Sequence, residues 1–351
     1  MAVLDEDPPS GWDALTEDAR ESLEATWDCG VPGEASALHG RCWQLETWLR
    51  TLAYVELRAR FAGGWLKEVS ERAQAHARAE AQLTHMESPD SNLILSYLDV
   101  TALYELINAH WELFRDSLLD AEVWQGRVRE LKQIRHRIAH FRRPHADDLP
   151  RIAQTLRDLD RPAVRAVQAY RTRYSCPPEF DDPLVVAWMR DDHHLAHLKD
   201  HALRRYDADV RITFSRRPWA KLISEVDTIT GEPGYLWHVE FSMHRMGVSP
   251  RKLWENSYLD LSQARDHLVF LTLDGPSNAD FAFPAASEPG SLANDISNCI
   301  QAILNSVQVI ENYDSFYRPY RKPSLGLDPR VQIANPWSFL QEDMKLSMFS
   351  A

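Results

Sequence analysis

The sequence predicts two parts of different fold class: an all-α helical bundle, then an α+β domain in which a helix covers an antiparallel sheet. Up to residue 174, apolar residues recur at helical spacing and no segment alternates as a strand does. Beyond residue 178, short alternating segments are separated by turns, which is typical of antiparallel strands. We therefore divide the chain into an acidic lead-in at 1–35, a helical domain at 36–174 and an α+β domain at 175–351.

The helical domain is predicted to contain five helices. The first covers residues 38–64 and ends at a Gly-Gly pair, and the second covers residues 65–86. The sequence Ser-Pro-Asp-Ser at 88–91 breaks the chain and caps the third helix. The inward stripe of that third helix comprises Leu95, Leu98, Ala102, Leu106 and Ala109. The fifth helix lies within 149–174, where Pro162 marks a first helical position or a kink.

The fourth helix, within residues 121–142, carries the most informative segment of the chain. Its predicted inward residues are Val123, Val128, Leu131, Ile134 and Ile138. Pro144 disfavours helical backbone at Arg143, so we expect the helix to end near Arg142.

The α+β domain is predicted from four strand-like segments at 207–214, 219–229, 234–243 and 266–273. In the third of them, Trp237, Val239 and Phe241 point to one face, while Leu236, His238 and Glu240 point to the other. An amphipathic helix follows at 291–313. Its predicted buried stripe comprises Leu292, Ile296, Ile300, Ile303, Val307 and Ile310.

The motif Arg135-His136-x-x-x-His140, at the end of the fourth helix, suits RNA cleavage without a metal. Attack by the RNA's own 2′-hydroxyl needs a proton acceptor, a proton donor and a cation for the phosphate. Histidine titrates near neutral pH and serves either proton role. Arginine stays charged, and its planar fork matches two phosphate oxygens.

The charge distribution supports a phosphate-binding cleft at this motif. The whole chain has a formal net charge of −13, which argues against general nucleic-acid binding. Residues 127–173 nevertheless hold 13 Lys or Arg against five Asp or Glu. A basic island on an acidic body is expected of such a cleft, although a solvated basic helix face gives the same pattern.

The helices followed by residues 131–141, with the Arg-x4-His motif, resemble the HEPN superfamily, specifically its abortive-infection-type ribonuclease branch. The resemblance covers roughly residues 36–174 and implies a metal-independent endoribonuclease that acts as a toxin or phage-defence effector. It also implies a homodimer in which motifs of two chains meet in one cleft. Arg135, His136 and His140 match position by position, with His136 in place of the commoner Asn.

The resemblance also implies further site residues and partners. Some relatives pair the motif with an upstream acid, which makes Glu46 a candidate catalytic residue; the other interpretation is a solvated glutamate or an ion pair with Arg50. Candidate RNA-binding residues beside the motif are Arg137, Arg142, Arg143 and His145. We expect RNA as substrate, an antitoxin or phage-derived trigger as further partner, and a sensor or regulatory role for residues 175–351. The alternative is a non-catalytic module that binds RNA or a partner protein.

Metal and cofactor sites are not expected. His136 and His140 share a helix face, but no Glu follows His136 and the neighbouring arginines repel a cation. His193, His197 and His201 form a second histidine stripe, which indicates either a metal site or an exposed charged helix. No phosphate-binding loop or dinucleotide glycine pattern occurs. Four cysteines without a CxxC pair and no apolar span favour a cytoplasmic protein without a membrane segment.

Overall fold

A computed structural model of the chain describes residues 17–83, 85, 94–190, 194–244, 246–249, 252–253, 267–310, 331–333 and 349. It confirms the predicted fold class: helices run through the N-terminal half, and a sheet with a helix on it follows. The predicted break at 88–91 and residues 1–16 of the predicted lead-in lie outside the described residues. The rest of the lead-in contains a helix, Glu17–Asp28, and the start of the next helix at Gly33.

The helical half is built around one long central helix. Its helices are α1 (Glu17–Asp28), α2 (Gly33–Phe61), α3 (Glu71–Glu80), α4 (Val100–Ala109), α5 (Trp111–Phe114), α6 (Ala121–Ala139) and α7 (Asp148–Arg171). Helix α2 contacts α4, α5, α6 and α7. Residues 52–59 of α2 are buried on all sides, which is typical of a helix in the middle of a bundle.

Several details of the helical half differ from the sequence prediction. The predicted third helix is a 3-10 segment, Ile94–Tyr97, followed by α4 and α5. Of its predicted inward stripe, Ala102 is only half-buried and Ala109 is exposed.

The predicted second helix is a 3-10 segment, Ala62–Glu68, followed by the shorter helix α3. Ser70 separates them because its side chain accepts a hydrogen bond from the Ala73 amide and so caps α3. In α6, Val123 is about half exposed and Trp124 is fully buried, so the inward stripe begins one residue later than predicted.

The C-terminal half begins with two helices, α8 (Pro183–Met189) and α9 (His194–Tyr206). The strands in the described part of this half are β1 (Ala208–Arg216), β2 (Tyr235–Met243), β3 (Met246–Val248), β4 (Phe270–Asp274), β5 (Asn278–Pro284), β6 (Val307–Val309) and β7 (Val331–Ile333), with helix α10 (Pro289–Ser306) before β6. The main sheet has the order β1-β2-β5-β4-β7; its first four strands are antiparallel, and β7 joins β4 in parallel. Strands β3 and β6 form a separate pair.

The predicted strand at 219–229 is wrong. This segment holds a 3-10 turn at Ile223–Glu225, where the Glu225 carboxylate accepts a hydrogen bond from the Leu222 amide. The main sheet instead contains β5 and β7, which the sequence prediction missed. The final helix also ends earlier than predicted, so that Val307 opens strand β6 and Ile310 lies beyond it.

The two faces of the sheet pack against different partners. Trp237, Val239 and Phe241 are buried in a core with α8, α9 and α10, as their alternation predicts. Leu236, Phe270 and Ala282, on the opposite face, belong to the core of the helical half. The sheet is therefore covered on both faces, and α2 and α7 form part of its second cover.

Candidate active site

The motif arginine is held by a buried carboxylate from the central helix. Arg135, on the last turns of α6, donates from Nε to Oε1 of Glu46 at 2.7 Å. Glu46 is 6 % exposed, whereas about a third of the Arg135 side chain reaches solvent. The charge–charge contact fixes the guanidinium on the α2 side of α6.

Glu46 also bonds to a second arginine: the alternative ion pair with Arg50 is present, whereas a solvated glutamate is wrong because the side chain is buried. Arg50 donates from Nη2 to Oε2 of Glu46 at 3.1 Å and also to the Leu98 carbonyl at 3.2 Å. One buried carboxylate therefore accepts hydrogen bonds from two arginines, one of which belongs to the motif. The catalytic assignment of Glu46 stays a prediction.

The two motif histidines lie side by side at the end of α6. Both are exposed, and their ring centroids are 4.3 Å apart in an edge-to-face arrangement. Four residues of helix bring them to the same face, as their spacing predicts. His140 is the residue that caps α6, with φ −101° and ψ 18°.

Helix α6 ends three residues before the predicted position. The Phe141 amide donates to the Ile138 carbonyl and the Arg142 amide to the Arg137 carbonyl, and Phe141 adopts φ +52°. These two bonds and a left-handed residue define a Schellman motif, which ends the helix before Pro144 acts. As a result, His140 lies at the cap of α6, within a hydrogen-bonded turn.

Of the four predicted RNA-binding residues, Arg137 has a clear intramolecular partner. It donates from Nε to Oδ2 of Asp148 at 2.9 Å and from Nη2 to Oδ1 of the same carboxylate. Asp148 is buried and also accepts the His145 amide at 3.0 Å. Burial opposes ionisation of Asp148, but the hydrogen bonds from Arg137 and His145 outweigh it and lower the pKa of this carboxyl.

Arg142, Arg143 and the side chain of His145 are exposed beside the motif. They follow α6 directly and precede α7, whose first turn is tied to α6 through Asp148. The sequence analysis did not identify Asp148, because a single acid at a helix start has no distinctive spacing. The contribution of all four basic residues to RNA binding stays a prediction.

A second constellation, in the sheet, has the residue types of a hydrolase triad. Ser215 Oγ lies 2.9 Å from His238 Nε2, and His238 Nδ1 lies 3.2 Å from Asp280 Oδ1. Ser215 and His238 are fully buried, so a substrate has no route to the hydroxyl that would attack it. We interpret the row as structural. Its three members come from β1, β2 and β5, a coincidence that no local sequence pattern could reveal.

The structure describes only part of the second histidine stripe. His197 and His201 are exposed on α9, while His193 lies outside the described residues. Within the described part of the chain, no group of three or more His, Cys, Asp or Glu side chains is arranged to hold a metal ion. Likewise, no helix among the described residues is long and apolar enough to cross a membrane.

Residues 43–162 match the family model described as Swt1-like HEPN. No curated protein and no solved structure matches the chain. The matched residues begin within α2 and end within α7, and they include Glu46, Arg135, His136 and His140. This match supports the assignment of the helical part of the chain to the HEPN superfamily.

Proposed function

We propose that this protein is a metal-independent endoribonuclease whose active site contains Arg135, His136 and His140. One observation carries the proposal: an arginine fixed by a buried glutamate lies on the same short stretch of helix as two exposed, adjacent histidines. HEPN domains as a class are RNase-like or RNA-binding modules, which agrees with this chemistry.

The reaction that we propose begins when the RNA 2′-hydroxyl attacks the adjacent phosphorus. A base takes the hydroxyl proton, the bond from phosphorus to the 5′-oxygen breaks, and an acid protonates that oxygen. The products are a 2′,3′-cyclic phosphate and a 5′-hydroxyl. His140 serves as base or acid, His136 orients the substrate or supports His140, and Arg135 stabilises the charge on the phosphorane.

Glu46 acts as a positioning residue in this scheme. It bonds to the Nε edge of Arg135, and the terminal nitrogens of that guanidinium are the ones that we assign to the phosphate. Arg137, Arg142, Arg143 and His145 extend the basic surface along the RNA strand. A second copy of the chain supplies the opposite proton-transfer group, so the active form is a homodimer.

The test compares purified wild type with Arg135→Ala and His140→Ala on unstructured RNA. We expect rates about 10²- to 10⁴-fold lower for the variants, full wild-type activity in a metal chelator, and fragments that end in 2′,3′-cyclic phosphate. His197→Ala is the matched control because His197 is also an exposed helical histidine. A His140→Ala protein that cuts RNA as fast as wild type would exclude this assignment.

In the cell, we propose that the nuclease acts in the cytoplasm as a toxin or abortive-infection effector. Residues 175–351 would then respond to a phage component or bind an antitoxin. Expression of the wild type should arrest growth and degrade total RNA, and the Arg135→Ala/His140→Ala protein should do neither.

A non-catalytic RNA-binding module is the second candidate, favoured by one observation. Arg142, Arg143 and the side chain of His145 are exposed directly after the motif, and such a basic surface holds phosphate without any proton transfer. This alternative predicts RNA binding without cleavage and little loss of affinity in His140→Ala.

A further inference from the structure

Phe141 is the most exposed of the large hydrophobic side chains in the described part of the chain. It is 98 % exposed, so its ring gains nothing from packing within its own chain. A phenylalanine in this state loses the burial that normally stabilises an aromatic side chain. It directly follows His140, the motif histidine.

The backbone at Phe141 is also unfavourable for this residue. Its φ of +52° lies in the left-handed region, where the Cβ of an L-residue crowds the chain. Glycine is the usual residue at this position of a Schellman motif. A large aromatic residue therefore occupies a position where glycine would be more stable, and no contact with the described residues compensates.

The surroundings of Phe141 are cationic and polar rather than apolar. His136 and His140 precede it, Arg142 and Arg143 follow it, and all four are exposed. An aromatic ring with arginines beside it suits a nucleotide, because the base stacks on the ring and the phosphates bind the arginines. At a protein interface, aromatic residues are normally surrounded by other apolar residues.

We propose that Phe141 is a stacking platform for one unpaired base of the RNA strand, next to the scissile phosphate. The left-handed turn directs the ring away from the helix end, while Arg142 and Arg143 bind the flanking phosphates. Because bases inside a duplex are already stacked on each other, this subsite selects single-stranded RNA. The inference rests on the proposed function and adds to it a subsite for one base.

The experiment measures binding and stability together. The ligands are a short unstructured RNA with 2′-O-methyl groups throughout, which cannot be cleaved, and the same RNA annealed to its complement. Wild type, Phe141→Gly, Phe141→Trp and the control Leu203→Ala are titrated with each ligand, and their melting temperatures are recorded. Leu203 is an exposed hydrophobic residue on α9 of the other half.

We expect Phe141→Gly to bind the single strand on the order of 10-fold more weakly and to melt at a higher temperature than wild type, since glycine relieves the left-handed strain. Phe141→Trp should retain the affinity, and Leu203→Ala should change neither quantity. Duplex binding should be weaker than single-strand binding in wild type and unaffected by Phe141→Gly.

Other outcomes would overturn the inference in distinguishable ways. If wild type cleaves RNA and Phe141→Gly keeps the same single-strand affinity, the stacking subsite is wrong and the nuclease stands. If Phe141→Gly instead converts a dimer to a monomer in sedimentation, the ring is a protein contact. If wild type neither binds nor cleaves RNA, the proposed function itself fails.

Discussion

At the scale of single residues, the site depends on one buried acid. Glu46 is the carboxylate through which α2 reaches both Arg135 and Arg50. Replacing it leaves two arginine charges close together without the group that holds them. The consequence should therefore appear in both stability and activity.

We expect Glu46→Ala to lower the free energy of unfolding by about 1–3 kcal/mol, the usual cost when buried polar partners lose their acceptor. Its RNase rate should fall while the pH profile of cleavage, set by the histidines, keeps its shape. Glu130→Ala is the control, because Glu130 bonds to Arg151 on the exposed side of α6 and α7. Denaturant titration and initial rates measure the two effects. Unchanged stability and rate would show that Glu46 does not position Arg135.

Asp148 gives a residue-scale prediction on pH. Its folded pKa lies below the ordinary value, so the unfolded chain binds the proton more readily. The stability that Asp148 contributes is therefore present above its ordinary pKa and is lost as the pH falls through the folded pKa. Asp148→Asn should be less stable near neutral pH and should lose less stability on acidification than wild type. Urea titrations at several pH values measure this difference. If both proteins lose the same stability on acidification, the prediction is wrong.

At the scale of elements, three strands share one polar row inside the sheet. Ser215, His238 and Asp280 come from β1, β2 and β5, and Tyr170 of α7 packs edge-to-face on the His238 ring at 5.3 Å. Burial, with the nearby charge of Arg173, lowers the pKa of His238. The imidazole is thus neutral in the folded protein over most of the physiological range.

This row predicts a loss of stability in weak acid. The unfolded chain protonates His238 below its ordinary pKa of 6.5, while the folded chain resists protonation, so stability falls as the pH drops below 6.5. His238→Gln keeps a hydrogen-bonding side chain without this titration, and its stability should vary less between pH 7 and pH 5. Thermal melts of both proteins across that window measure the difference. If the melting temperatures of the two proteins change equally with pH, His238 is not the titrating group.

At the scale of the whole molecule, a fully buried ion pair joins the two halves. Arg217, just after β1, donates to both carboxylate oxygens of Glu56 in α2, and Trp219 donates to the same carboxylate at 2.7 Å. Neither member of the pair is exposed to solvent. Together with the sheet residues that lie in the helical core, the pair indicates that the halves unfold as one unit.

Glu56→Leu alone should cost about 3–5 kcal/mol, because it leaves the Arg217 charge buried without a partner. The double variant Glu56→Leu/Arg217→Met removes both charges and should recover much of that loss. Both should give a single unfolding transition by near- and far-ultraviolet circular dichroism. Two separate transitions in wild type would show that the halves unfold independently.

Much of the fold could be predicted from local sequence. The helical half, the alternation of β2 and the stripe of α10 follow from periodic burial, which each segment carries in its own residues. The strand at 219–229 was wrong because Leu222 and Glu225 close a local turn instead of pairing with a neighbour. Strand β5 was missed because its burial arises from β2 and β4 on either side.

The sequence by itself determined the motif, its place near a helix end, the shared face of His136 and His140, and the HEPN resemblance, because these depend on spacing within one helix. Only the tertiary structure decided that Glu46 holds Arg135, that Asp148 holds Arg137, and that the sheet packs on α2 and α7. These contacts join residues far apart in the chain, and long-range charge pairing leaves no periodic signal. The exposed ring of Phe141 depends on both the sequence and the structure. Its sequence position was visible, but its left-handed backbone was set by how α6 ends.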